Sequence, residues 1–171
     1  MPSQFHHDDI NIRLAREEDC SSIADLLYRS FLEIKAVYTP GGFEATVLSP
    51  EKVFARMTEG PVWVALDHAI IAGTVSAVIK PKGLYMRGMA VDPERRGKHI
   101  GRLLLETVER YALHNNCSRF YFSTAPYLHN AIKLYENFGF VRTDEPPHEL
   151  FGTPLFSMEY QISKSERNRE Y

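Results

Sequence analysis

Cysteine is scarce in this chain. Only Cys20 and Cys117 occur among 171 residues. They form no Cys-x-x-Cys pair and no Cys/His spacing of the kind that holds zinc, so neither a disulfide framework nor a metal site is expected. No apolar run approaches the roughly 20 residues of a membrane span. The first ten residues are polar and include His6 and His7, unlike a secretory signal. An excess of positive charge is missing as well. Twenty Lys and Arg stand against 22 Asp and Glu, a formal net charge of −2 at pH 7, and a general nucleic-acid binder needs a broad basic surface. These absences predict a soluble cytoplasmic protein with reduced thiols, with no membrane, nucleic-acid or metal partner.

What is present suits a globular domain. The chain is 44% apolar and 25% charged, and its length supports one full core without staples. Ile10 to Leu14 alternates as a half-buried strand. Asp19 is placed to cap a helix carrying Ile23, Leu26, Leu27, Phe31 and Ile34 at helical spacing. Tyr38 to Gly42 breaks that helix, and no period is visible from there to Ser49, where Ser49-Pro50-Glu51 starts a short helix. Pro61 to Leu66 and Ala69 to Ile79 read as an antiparallel pair turning at Asp67-His68. After a third strand, Ile100 to Ala112 reads as a strongly amphipathic helix. Arg119 to Ser123 is a strand, and His129 to Phe138 a helix that Gly139 terminates. Phe140 to Arg142 begins another strand. Leu155 to Ile162 closes with strict alternation, Phe156, Met158, Tyr160 and Ile162 inward. The expected organisation is a flexible tail (1–9), one mixed α/β (α+β) domain (10–162) and a charged tail (163–171).

The most informative segment runs from Met86 to Leu105. It reads as a strand with Gly88 inside it, a turn at Asp92-Pro93, and a basic, glycine-punctuated loop opening into a helix. Backbone N–H groups at a helix start lack partners within the helix, and the helix dipole adds positive charge there. Arg95, Arg96, Lys98 and Arg102 add full charges. A phosphate-bearing ligand is expected, held by the amides from Gly97 to Arg102. The triphosphate loop GxxxxGK[ST] and the dinucleotide fingerprint GxGxxG are both absent, which removes the two commonest phosphate loops. A strand glycine such as Gly88 marks a bulge or a close backbone approach.

Arg96-Gly-Lys-His-Ile-Gly101 resembles the R/Q-x-x-G-x-G/A core of the GNAT superfamily of acyl-CoA-dependent N-acetyltransferases. Arg96 and Gly101 match its first and last positions. His99 stands where the family has its middle glycine, a place a histidine is expected to fill at negative φ. Asn130-Ala-Ile-Lys-Leu-Tyr-Glu-Asn-Phe-Gly-Phe140 resembles the family's later motif, an asparagine before a helix carrying Leu-Tyr and ending in Gly-Phe. The resemblance spans roughly residues 10 to 162. It implies a single-domain GNAT-like fold: a mixed, mostly antiparallel sheet of about six or seven strands flanked by about four helices. It implies acetyl-CoA as co-substrate, no metal, a primary amine of a small molecule, peptide or protein as acceptor, and a possible homodimer. Arg96, Gly97, Lys98, His99, Ile100, Gly101 and Arg102 would hold the pyrophosphate. Backbone groups of Met89, Ala90 and Val91 would hold the pantetheine arm, one N–H facing the thioester oxygen. Asn130 would cap its helix, bond the cofactor, or do both.

Transfer to an amine needs an acid for the departing thiolate and a way to deprotonate the amine. Tyr135, within the second motif, is the expected general acid, since a phenol of pKa about 10 stays protonated at neutral pH. Glu33 is the tentative base, on a helix that the resemblance sets beside the acceptor groove. Glu44, His148 and Glu149 are further candidates. A CoA-binding module without turnover is the alternative reading.

Overall fold

The computed structural model describes residues 10 to 167, so the tail expected over 1–9 lies outside the described residues. The chain opens with β1 (Ile10–Leu14) and passes through a turn of 3-10 helix into α1 (Cys20–Leu32). Two shorter helices follow, α2 (Pro40–Thr46) and α3 (Pro50–Glu59). Next come the meander β2 (Val62–Asp67), β3 (Ile70–Lys80) and β4 (Gly83–Val91), then α4 (Ile100–His114). Strand β5 (Arg119–Thr124) and helix α5 (His129–Phe138) lead to β6 (Val141–Arg142), β7 (His148–Leu150) and β8 (Thr153–Gln161). A short α6 (Lys164–Arg167) ends the described chain. It is held by reciprocal bonds, Glu166 N–H to Ser163 Oγ at 3.2 Å and Ser163 N–H to Glu166 Oε2 at 2.8 Å, so the segment expected as a tail begins as a capped turn.

The strands form one sheet in the order β1-β2-β3-β4-β5-β8-β6, with β7 paired to the start of β8. Every pairing is antiparallel except β4 with β5. The mixed, mostly antiparallel architecture therefore forms as expected, with eight strands and, among the described residues, six helices. Besides α6, the elements the sequence hid are β7 and α2. In α2, Pro40 occupies the first turn and Thr39 Oγ1 accepts the Gly42 amide at 3.0 Å. The same threonine's amide donates to Thr153 Oγ1 at 3.0 Å. Any Cβ on Gly42 would overlap Thr153 Oγ1. The glycine pair that looked like a helix breaker is what lets α2 lie against β8.

Two cores pack on opposite faces of the sheet. One, under α4 and α5, contains Leu84, Met86, Leu104, Val108, Phe120 and Phe122; the other, under α1 and α3, contains Ile23, Leu27, Val53, Val64 and Ala90. Met86 and Ala90 are four apart on β4, yet they face opposite cores. Strand alternation would put them on one face. The register between β3 and β4 shifts between Thr74 and Ser76, where Gly88 takes φ +63°. This bulge inserts one residue and inverts the facing of everything after it.

Two local expectations are corrected. Asp19 precedes α1 without capping it; its carboxylate instead accepts from Arg13 at 2.7 Å and from the Arg16 amide at 2.7 Å. In β8, Ser157 is buried along with Phe156 and Met158, because β8 lies inside the sheet between β5 and β6.

Phe120 is fully buried and its ring lies 4.9 Å from Phe140 and 5.2 Å from Tyr160, centroid to centroid. Phe120→Ala is expected to cost about 3–5 kcal/mol, read as a lower urea midpoint with an unchanged slope.

Candidate active site

Strands β4 and β5 pair only at Leu84 with Phe120 and Tyr85 with Tyr121. Beyond Tyr85 they part. β5 continues along β8 to Thr124, while β4 runs to Val91 with β3 alone beside it. The gap is a cleft of about 620 Å³, floored by Met89, Ala90 and Val91. Ser30 of α1 and Glu33 at its C-cap line one wall, and Asn130, Leu134 and Tyr135 of α5 the other. The Arg96–Arg102 loop closes one end.

That loop is built by two aspartates. Asp92, 1% exposed, accepts the Glu94 amide at 3.0 Å and pairs with Arg95 at 2.8 Å and Arg29 at 3.2 Å. Burial alone would raise its carboxyl, but the Glu94 amide and the Arg29 guanidinium outweigh burial and hold it below the usual range. Asp67, at the end of β2, pairs with Lys98 at 2.9 Å and Arg95 at 3.2 Å. The Lys98 bond is the main cause of its lowered pKa. Arg95 and Lys98 were expected to add free charge to the ligand site. Their charges are instead committed to the loop's own frame, and Lys98 does not line the cleft.

The loop's amides are available. Among the described residues no backbone hydrogen bond takes up the N–H groups of residues 96 to 102; the first helical amide to find a partner is Leu103, on the His99 carbonyl at 3.1 Å. Gly97 and His99 both take left-handed backbone angles, φ +86° and +59°. The expectation of negative φ at His99 is thus overturned. His99 is the N-cap of α4, where the chain must reverse into the helix, and histidine is among the side chains that enter this region most readily. Gly101 sits where α4, α5 and β4 meet. A Cβ there would lie 2.7 Å from Leu134 Cδ2 and 3.3 Å from Met89 Cε.

Tyr135 is 7% exposed and its ring packs 4.2 Å from that of Phe122. Burial, and then the nearby Tyr38 phenol, push its pKa above the ordinary 10. Tyr38 itself is pushed up to about 12 by burial. Asn130 lines the cleft but does not cap α5. The N-cap is Leu128, without a side-chain bond, which corrects the capping role. Among the described residues Glu33 is the only carboxylate lining the cleft, and its Oε2 lies 3.1 Å from Arg96 Nη1. Glu44, His148 and Glu149 are exposed and outside the lining. Sequence reasoning missed Ser30, whose hydroxyl donates to the Val91 carbonyl at 3.2 Å and ties α1 to the end of β4. A polar residue on the inner face of α1 was its one signal. Among the described residues no group of three His, Cys, Asp or Glu is placed to hold a metal.

Comparison with known proteins gives a family. A model described as the acetyltransferase (GNAT) family matches residues 20–140. N-acetylaspartate synthetase of Danio rerio is 33% identical over 121 residues, 67% of this chain and 43% of that protein. N-acetyltransferase 8B of Homo sapiens is 30% identical over 89 residues, 48% of this chain and 39% of that protein. The chain spans less than half the length of these relatives. The crystal structure of PaiA N-acetyltransferase from Thermoplasma acidophilum, in complex with coenzyme A, superposes with a TM-score of 0.77 at 18% identity, covering 90% of this chain and 99% of that one. A ribosomal-protein-alanine N-acetyltransferase from Brucella melitensis gives 0.71 at 20% identity, covering 89% and 99%.

Two outcomes are expected from this geometry. His99→Gly relieves a left-handed side chain and should leave stability equal or higher by up to about 1 kcal/mol, with acetyl-CoA affinity kept within a few fold; both are read by thermal shift with and without the ligand. Asp67→Asn frees Lys98 and leaves Arg95 held by Asp92 alone, and should weaken acetyl-CoA binding by about three- to thirtyfold by loosening the amide array, measured by calorimetry.

Proposed function

The chain belongs to the GNAT acetyltransferase family, and on that premise we propose that it transfers an acetyl group from acetyl-CoA to a primary amine, with Tyr135 as general acid and Glu33 as base. The observation that carries this reading is the run of unbonded amides over residues 96 to 102 opening onto the unpaired edge of β4, with a buried phenol across the gap. The residues fit the ligand. Amides at a helix N-terminus suit a pyrophosphate, Arg96 and Arg102 line the same end of the cleft, and the β4 edge suits an amide-bearing arm. Bound acetyl-CoA supplies the chemistry of a thioester, a carbonyl open to attack and a thiolate able to leave.

The protein's part is to hold, orient and move protons. Amides of Gly97, His99, Ile100, Gly101 and Arg102 hold phosphate oxygens, and Lys98 acts through its amide while its ammonium braces the loop. Asn130 adds a polar contact from the α5 wall. Backbone groups of Met89, Ala90 and Val91 hold the arm, and one of their N–H groups meets the charge that grows on the carbonyl oxygen. Tyr135 keeps its hydroxyl proton for the sulfur. Its raised pKa makes it a weak acid in water, but the same desolvation raises the basicity of a thiolate beside it. Phosphate at the loop competes with Glu33 for Arg96, and a released Glu33 carboxylate takes the proton of the amine directly or through water. The two buried free thiols suit a reducing compartment, which favours the cytoplasm.

Thiol release from acetyl-CoA across an amine panel tests the activity; binding without turnover on any amine would favour a CoA-binding module. Tyr135→Phe should leave acetyl-CoA affinity within a few fold and lower turnover by about ten- to a thousandfold. Because the phenol titrates above 10, the alkaline limb of turnover should lie above about pH 10. An alkaline limb that stays unchanged in Tyr135→Phe would contradict the assignment. Glu33→Gln should lower turnover by about tenfold with acetyl-CoA affinity equal or higher, since Arg96 loses a competitor.

A further inference from the structure

A serine inside a helix commonly turns back on its own helix, the hydroxyl bonding the carbonyl four residues earlier. Ser30 of α1 does not. It is 8% exposed, lines the cofactor cleft, and donates its proton across to the Val91 carbonyl at 3.2 Å. That carbonyl lies on the free edge of β4. The N–H of the same peptide unit, on Asp92, bonds the Ala72 carbonyl of β3 at 2.8 Å, and the two groups of a trans peptide point in opposite directions. Val91 is also well past the last step at which β4 pairs with β5. The preceding residue of α1 fixes the contact, since Arg29 Nη1 lies 3.2 Å from the buried Asp92 carboxylate. Two consecutive helix residues thus grip two consecutive residues at the end of β4.

A hydroxyl has one proton and two lone pairs. The proton of Ser30 is committed to Val91, and among the described residues no donor reaches its oxygen. What it presents to the cleft is therefore an acceptor, which matches an N–H on the ligand. Position decides which N–H. Val91 is the residue of the cleft floor nearest the phosphate loop, and Met89 lies two residues, about 7 Å, farther back along the strand. An arm that leaves its phosphates on the amides of 96 to 102 and runs back along β4 passes Ser30 first. In coenzyme A that stretch of the arm holds the first of its two amides. An amide lying along a strand edge behaves as a neighbouring strand does, and its N–H needs an acceptor from that edge. The Val91 carbonyl would be that acceptor, and the Ser30 oxygen stands in front of it.

We propose that Ser30 accepts a hydrogen bond from the arm amide nearest the phosphates of acetyl-CoA, standing in for the Val91 carbonyl that it covers. This rests on the acetyltransferase reading above and deepens it, adding a side chain of α1 to an arm otherwise held by backbone. Ser30 acts on affinity and on the seating of the arm; it does not touch the thioester. Glu33 follows one turn later at the C-cap of the same helix. An arm seated on Ser30 is thereby set at a fixed reach from the proposed base.

The test is a double cycle read as dissociation constants by calorimetry. One change is Ser30→Ala; the other is an acetyl-CoA analogue with an ester oxygen in place of that amide N–H. Each alone is expected to weaken binding by about five- to twentyfold, and the two together by about the same factor, because they remove one and the same bond. The nucleotide half of the coenzyme, 3′-phospho-ADP without the arm, should bind both chains within about twofold, and Ser30→Thr should recover most of the lost affinity for acetyl-CoA. Thermal melts identify a variant that fails to fold. Ser30→Thr and Ser30→Val, which differ in little but the hydroxyl, then carry the comparison. A Ser30→Ala chain that binds acetyl-CoA as the wild type does, losses that multiply across the cycle, or an equal loss for 3′-phospho-ADP overturns the proposal and leaves the acetyltransferase reading standing. A chain that acetyl-CoA does not stabilise and that turns over no amine overturns both.

Discussion

The site depends on β4 losing its neighbour halfway along. A strand edge inside a protein carries backbone donors and acceptors that must be satisfied, and here the second half of β4 is bonded on one side only. The parting begins after Tyr85, and the Gly88 bulge follows immediately. That one inserted residue turns Met89 and Val91 toward α4 and Ala90 toward α1. It opens the cleft on one face and leaves Gly88, without a side chain, against Arg56 on the other.

Charge in the loop is divided between building and binding. Exposed ion pairs contribute little, about 0–1 kcal/mol, so Arg102 with Glu106 or Arg96 with Glu33 can exchange partners at small cost. Asp92 is different. It is nearly inaccessible, holds two guanidiniums and an amide, and removing it would leave those donors stranded. The network fixes where the loop starts, and α4 fixes where it ends. Between them the amides have no other use.

Much of this was legible in the sequence because it is local. The strand-turn-loop-helix grammar of 86–105, the left-handed Gly139 and the helix His129–Phe138 each follow from neighbours within a few residues. What escaped was nonlocal or masked. Arg95 and Lys98 read as free cations because Asp67 is distant in sequence. Gly41-Gly42 hid α2, whose stability comes from Thr39 and Thr153 across the fold. Asn130 looked like a cap because asparagine usually is one, but α5 starts one residue earlier. His99 was assigned ordinary backbone angles since nothing nearby shows that the N-cap of α4 must be left-handed.

Amide hydrogen exchange across residues 96 to 102 tests the claim that this loop is an anion cradle made of backbone. In the free chain these amides should exchange rapidly, having no partner, while Leu103 onward is protected by α4. Acetyl-CoA should slow them, and a pantetheine thioester lacking the phosphates should not, even at concentrations where it binds. Exchange that is already slow without ligand, or that acetyl-CoA leaves unchanged at saturation, would contradict the account.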